Sequence, residues 1–295
     1  MRWTPGGPSK NLDDLRGQTG GGGRMIGGRG MGIGGAIIAL ILSAVFGVNI
    51  FDGSGSGGTP VPQQTAPGEA QQPVNSTPEE EKRVQFVSFI LDDVQQTWTQ
   101  LLPKVGGEQY HDARLAVFRD GVQTGCGDAP AAVGPFYCPV DQRVYLDVSF
   151  FDELAQRFGA PGDFAQAYVI AHEVGHHVQN LLGIDEKVRA AQQRGNEAQA
   201  NQLSVRMELQ ADCFAGVWGH YVQAQSGPGK VTLEPGDVEE GLRAAAAIGD
   251  DAIQRKSQGQ VTPETWTHGS SQQRVQWLRR GLDSGQVSVC NTLSS

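Results

Sequence analysis

Basic side chains are scarce in this 295-residue chain: 23 Lys and Arg stand against 32 Asp and Glu, a net charge of −9. A surface that displaces counterions from phosphate needs the opposite balance, so nucleic acid is excluded as a partner. Cysteine is limited to four residues. Long apolar runs are missing with one exception, between Met31 and Val48. No internal repeat is visible, which excludes a repeat array. Glycine is the abundant residue: the chain has 41, clustered in its first 60 positions. The average composition therefore mixes two kinds of chain.

Residues 1–30 carry Arg2, Lys10, Arg16, Arg24 and Arg29 among glycines, opposed only by Asp13 and Asp14. The uncharged run that follows holds Ile37, Ile38, Leu40, Ile41, Leu42, Val45 and Phe46. At about 18 residues it is near the minimum for a bilayer span. No Lys or Arg then appears before Lys82. This asymmetry predicts a cell-membrane protein with a basic cytoplasmic tail at 1–30, one transmembrane anchor at 31–51 and everything else outside the cytoplasm. A cleaved signal peptide is the alternative, but the charged leader is long and no clean A-x-A site follows. Residues 52–76 are mostly Gly, Ser, Pro and Gln and read as a flexible linker.

Folding is expected from Thr77-Pro78-Glu79-Glu80, a capping-box spacing with Pro at the first helical position. Val84, Val87, Leu91, Val94, Trp98 and Leu101 continue it as an amphipathic helix. Between Ala113 and Val148, alternating Leu115, Val117 and Val122, then Phe136–Cys138 and Val144–Leu146 around a Pro139–Gln142 turn, read as a small antiparallel sheet. Beyond Ser149 the pattern is helical, at roughly 149–158, 163–182, 197–226, 237–255 and 270–281. The fold class is α+β, a short antiparallel sheet beside a helical body, with one domain over residues 77–295. Four cysteines in an exported domain suggest disulfides in one of three connectivities. Cys126 with Cys138, and Cys213 with Cys290, is the favoured set; a buried free thiol at Cys213 is the alternative.

The segment His172-Glu173-Val174-Gly175-His176 places H-E-x-x-H inside one of these helices. Residues four apart share a helix face, so both imidazoles can reach one tetrahedral zinc ion. Glu173 sits one step around, where it can meet a zinc-bound water rather than the metal and take its proton. An exposed helix with surface histidines would explain the motif equally, except that Tyr168-Val169-Ile170-Ala171 marks the helix as buried. Glu208-Leu209-Gln210-Ala211-Asp212 supplies a third ligand in Glu208. Asp212, one turn on, can accept the free ring N–H of a ligating histidine. One zinc ion per chain is expected. His177 points away from this face, His220 lies three turns beyond Glu208, and His111 sits in a loop; none is expected to bind metal.

Near the C-terminus, Thr267-His268-Gly269-Ser270 opens a helix that has Arg274 early in it. A cation there opposes the helix dipole, so Arg274 calls for a carboxylate partner. His268, on a glycine-containing loop, can approach the metal and stabilise an oxyanion; an incidental histidine in a capping segment is the other reading.

Several stretches resemble the neutral zinc metallopeptidase family of bacteria, the YpfJ-like proteins. They are Ser149-Phe150-Phe151, GPFYCP at 134–139, GDFAQAYVIAHEVGHHVQN at 162–180, ELQADCFAGVWG at 208–219, IGDD at 248–251 and THGSSQQR at 267–274. The likeness covers nearly all of the chain but the linker. It implies a zincin-like body of gluzincin type, with His172, His176 and Glu208 as ligands and Glu173 as catalytic base.

The function expected is zinc-dependent hydrolysis of exported or membrane-associated proteins or peptides. Hydrolysis of cell-wall peptides is an alternative in the same chemical class. A zinc-stabilised binding or chaperone module is one from another class, but a closed structural site would have four protein ligands and little use for Glu173.

Overall fold

The computed structural model describes residues 1–18 and 74–293, apart from Pro5, Ala131, Ala132, Ser226 and Pro228. Helix α1 (Pro78–Leu101) begins as its sequence requires: the Thr77 hydroxyl accepts from the Glu80 amide, and Glu79, Glu80 and Glu81 sit at the positive end of the dipole. Its buried stripe, including Val87, Leu91, Val94 and Trp98, faces the core.

Six short strands follow a less predictable course. They are β1 (Leu12–Asp14), β2 (Arg114–Phe118), β3 (Gly121–Thr124), β4 (Gly127–Pro130), β5 (Phe136–Cys138) and β6 (Arg143–Asp147). The main sheet has the order β1-β2-β6-β5, and β3-β4 forms a separate hairpin. The expected antiparallel sheet is corrected here: β5 pairs antiparallel with β6, but β1, β2 and β6 run parallel. After β2 the chain spends β3 and β4 on their own hairpin and returns down β5, so β6 climbs in the direction of β2. The Cys126–Cys138 disulfide ties that hairpin's turn to β5.

The N-terminal segment overturns the predicted topology. Leu12, Asp13 and Asp14 pair with Leu115, Ala116 and Val117 at the edge of the sheet. The buried Arg16 guanidinium donates to Asp14 and to Glu81 of α1, at 2.6 and 2.8 Å, and the Trp3 ring packs edge-on against Phe86. A single span at 31–51 would hold residues 1–18 and 77–295 on opposite sides of a membrane, yet they form one sheet. The single-pass arrangement, with its cytoplasmic tail and outer domain, is therefore set aside. Among the described residues, no helix is long and apolar enough to cross a membrane. The expected anchor at 31–51, and the linker up to residue 73, lie outside the described residues.

The helical body comprises α2 (Phe150–Gln156), α3 (Asp163–Leu181), α4 (Ile184–Gln192), α5 (Glu197–Ala224), α6 (Asp237–Ala247), α7 (Asp250–Gln258) and α8 (Ser271–Ser284). The helix expected at 237–255 is two. The break falls at Gly249, whose missing side chain admits Ser271: a Cβ there would lie 2.3 Å from the Ser271 amide nitrogen. Helix α4 follows the left-handed Gly183 and was not anticipated.

Helices α5 and α8 cross at backbone contact through two glycines. A Cβ on Gly216 would lie 2.1 Å from the Leu278 carbonyl oxygen, and one on Gly281 2.1 Å from that of Cys213. The Cys213–Cys290 disulfide fastens the C-terminal segment to α5 at the same level.

Three substitutions test this packing by urea unfolding of the full chain. Arg16→Ala leaves its carboxylates without their shared cation and is expected to cost about 1–3 kcal/mol. Arg114→Ala, which removes a half-exposed ion pair with Asp13, is expected to cost under about 1 kcal/mol. Gly281→Ala must force α5 and α8 apart, with an expected loss of about 1–3 kcal/mol or more.

Candidate metal centre

Helix α3 is buried along most of its length, so the polar side chains in its middle are held away from bulk water. It meets α5 at Gly175, where a Cβ would lie 3.1 Å from the Ala211 carbonyl oxygen and 3.2 Å from the Ala211 Cα. This near-contact of backbones sets Glu208, one turn before Asp212 on α5, opposite the two histidines on α3. His172 Nε2 lies 3.1 Å from Glu208 Oε2, and His176 Nε2 lies 3.3 Å from Glu208 Oε1. The two rings stand nearly perpendicular, with centroids 4.8 Å apart. One ligand atom from each of His172, His176 and Glu208 can be chosen so that all lie within 4.8 Å of one another.

The outer ring nitrogens determine what this cluster can hold. His172 Nδ1 is 2.8 Å from Asp212 Oδ1, and His176 Nδ1 is 2.8 Å from Gln179 Oε1. Gln179 is fully buried, and its amide nitrogen donates to the Met207 carbonyl and to Gln210 Oε1. That leaves its oxygen as the group facing His176, so His176 donates through Nδ1. Asp212 is an acceptor and imposes the same tautomer on His172. Both Nε2 lone pairs therefore converge with the Glu208 carboxylate, a neutral N, neutral N, anionic O set that fits zinc.

Asp212 is fully buried and receives more than one donor. Arg274 Nε bonds its Oδ2 and Arg274 Nη2 its Oδ1, both at 2.9 Å, and the Tyr168 hydroxyl donates to Oδ1 at 2.5 Å. This is the carboxylate that Arg274 called for. Burial alone would raise the Asp212 pKa, but Arg274 and His172 outweigh it and bring it down to about 2. The cluster as a whole favours positive charge, which a proton on His172 would supply in the free cluster and a bound cation would supply in its place. Burial opposes a charged His172, yet Asp212 and Glu208 push its pKa up to about 10. Glu208 feels burial first, but His176, His268 and His172 hold it well below the usual carboxylate range. Glu173, also buried, goes the other way: burial raises its pKa, with His172 and His176 acting against it.

The structure brings His268 to the same place. Its loop packs on α5 beside Glu208, where a Cβ on Gly269 would sit 3.2 Å from Val205 and 3.4 Å from Leu209. The remaining histidines stay outside the cluster. His177 is held by the Tyr137 hydroxyl on Nδ1 and the His111 carbonyl on Nε2. His220 Nδ1 faces the Leu282 carbonyl. Sequence reasoning missed Gln179 and Tyr168. Gln179, three residues after His176 on the same helix face, carried a usable signal.

Comparison with known proteins points to the same metal. The family model described as putative neutral zinc metallopeptidase matches residues 1–293. The uncharacterized protein YpfJ of Escherichia coli strain K12 is 48% identical over 296 residues, spanning 99% of this chain and 98% of its own length. The uncharacterized protein Rv2575 of Mycobacterium tuberculosis strain H37Rv is 45% identical over 210 residues, covering 69% of this chain and 68% of its own. No solved structure matches. With the model spanning the sheet, the paired histidines and the Glu208 helix alike, this chain belongs to the putative neutral zinc metallopeptidase family.

Proposed function

We propose that the chain is a zinc-dependent peptidase in which His172, His176 and Glu208 hold the metal and Glu173 is the catalytic base. The observation that carries this reading is the convergence of two tautomer-fixed Nε2 atoms and one carboxylate, with a second buried carboxylate one residue from His172. Zinc at this position supplies Lewis acidity, activating water and polarising the scissile carbonyl.

The protein's own groups do the rest. Three protein ligands leave a coordination position for water or substrate, as catalytic sites do and closed structural ones do not. Glu173 takes the proton of the attacking water and delivers it to the leaving amine. Burial raises its pKa, which makes it the better proton acceptor. His268 stabilises the negative charge that develops on the carbonyl oxygen. Asp212 and Gln179 keep the ligand rings in one tautomer and one orientation. The substrate class is a protein or peptide.

Two measurements test this. The purified full chain should bind about one zinc per molecule by metal analysis, and His172→Ala or Glu208→Ala should lose most of it. Full occupancy in both variants would show that the ligands are wrongly assigned. Glu173→Gln should keep zinc and fold while hydrolysis of fluorescent casein falls about 10²–10⁴-fold; an unchanged rate would remove Glu173 from the mechanism. His268→Ala should cost about 10²-fold.

A further inference from the structure

The C-terminal segment lies along α5, and three bonds fasten it there. The Thr292 hydroxyl donates to the Arg206 carbonyl at 2.7 Å, Gln210 Nε2 donates to the Cys290 carbonyl at 2.9 Å, and Cys290 is disulfide-bonded to Cys213. Arg206, Gln210 and Cys213 are spaced by four and three residues, so the contacts share one face of the helix. A row of hydrogen bonds runs from that face to the metal centre. Gln210 Oε1 accepts from Gln179 Nε2 at 3.1 Å, and Gln179 Oε1 lies 2.8 Å from His176 Nδ1.

The order of donors in this row is fixed from its outer end. A backbone carbonyl only accepts, so the Cys290 oxygen requires the Gln210 nitrogen and turns the Gln210 oxygen toward Gln179. Gln179 then offers its own nitrogen, whose other N–H goes to the Met207 carbonyl at 2.7 Å. Held at both N–H groups, the Gln179 carboxamide cannot rotate without breaking two bonds. Its oxygen is left for His176, which meets it by donating from Nδ1 and so keeps the Nε2 lone pair for the ion. Cys290, Gln210 and Gln179 are all buried, where an unmade hydrogen bond costs most. We propose that the C-terminal segment is part of the metal centre: Gln210 is the positioning residue through which the Cys290 carbonyl holds Gln179, and with it His176, in place for zinc. This inference deepens the peptidase reading and rests on its assignment of His176 as a ligand.

Gln210→Met keeps the length of the side chain but removes the bonds to both Gln179 and Cys290. In chelator competition on the purified full chain, zinc affinity is expected to fall about 10-fold, the lower end of what loss of an outer partner of a metal ligand costs. Gln179→Leu removes the direct partner of His176 and is expected to cost up to about 100-fold. If Gln210 acts through Gln179, the double variant should bind zinc no more weakly than Gln179→Leu alone. A residue that only packs would give losses that multiply. Multiplying losses, or an unchanged affinity in Gln210→Met, would overturn the proposal.

A second readout follows the protons themselves. In ¹H–¹⁵N spectra of the zinc-loaded wild type, the His176 Nδ1–H should exchange slowly with solvent, and in Gln210→Met it should exchange faster. If that variant fails to fold, the wild type still decides: Gln210 carboxamide protons that exchange as fast as those of exposed glutamines would overturn the proposal. A wild type that takes up no zinc would sink the peptidase reading and this inference with it. A wild type that binds zinc with an affinity indifferent to Gln210 would sink this inference alone.

Discussion

The fully buried carboxylate of Asp212 is the interaction on which the site depends. A charge held out of water must be paired and hydrogen-bonded, and breaking such a pairing by removing one partner costs several kcal/mol. Asp212, on α5, meets that demand with groups from two other helices: Tyr168 and His172 from α3, and Arg274 from α8. Those helices can satisfy the charge in very few relative positions. The same bonds orient His172, so one buried charge links the stability of the helical body to the aim of a candidate metal ligand.

Glycine makes this arrangement sterically possible. Gly175 lets α3 approach α5 to backbone contact, and Gly216 and Gly281 do the same for α5 and α8. Glu208 and Asp212 can then address the α3 histidines on one flank while Arg274 arrives from the other. Larger residues at these crossings would widen the spacing by an ångström or more, a displacement that a hydrogen-bonded cluster does not tolerate. Gly249 plays a related part at the α7 start, where its contact with Ser271 allows Asp250 to reach the His268 loop.

Much of the centre was legible in the sequence. The H-E-x-x-H spacing, the buried apolar run before it and the Glu208/Asp212 spacing follow from helix geometry alone, and helix geometry is local. The limits of α1 and α3 were readable for the same reason, in the Thr77-Pro78 start and in the helical pattern over 163–182. Arg274 advertised a missing carboxylate by opposing its own helix dipole, though nothing local named Asp212 as that partner. The pairs Cys126–Cys138 and Cys213–Cys290 were among three connectivities and needed the fold to select them.

The sequence by itself determined the periodic elements and the chemical character of the candidate metal cluster, because both depend on contacts a few residues apart. Only the tertiary structure decided which distant segments share a surface. Strand β1 is three residues with two aspartates, too short and polar to register as a strand until β2 offers it an edge. The N-terminal 18 residues therefore read as a detached basic tail, when pairing and Arg16 place them in the fold of residues 74–293. Parallel order in the sheet, the orienting role of Gln179 and the bond from Gln210 to Cys290 were hidden for one reason. Each depends on which donor meets which acceptor across a long stretch of chain, and local periodicity carries no record of that pairing.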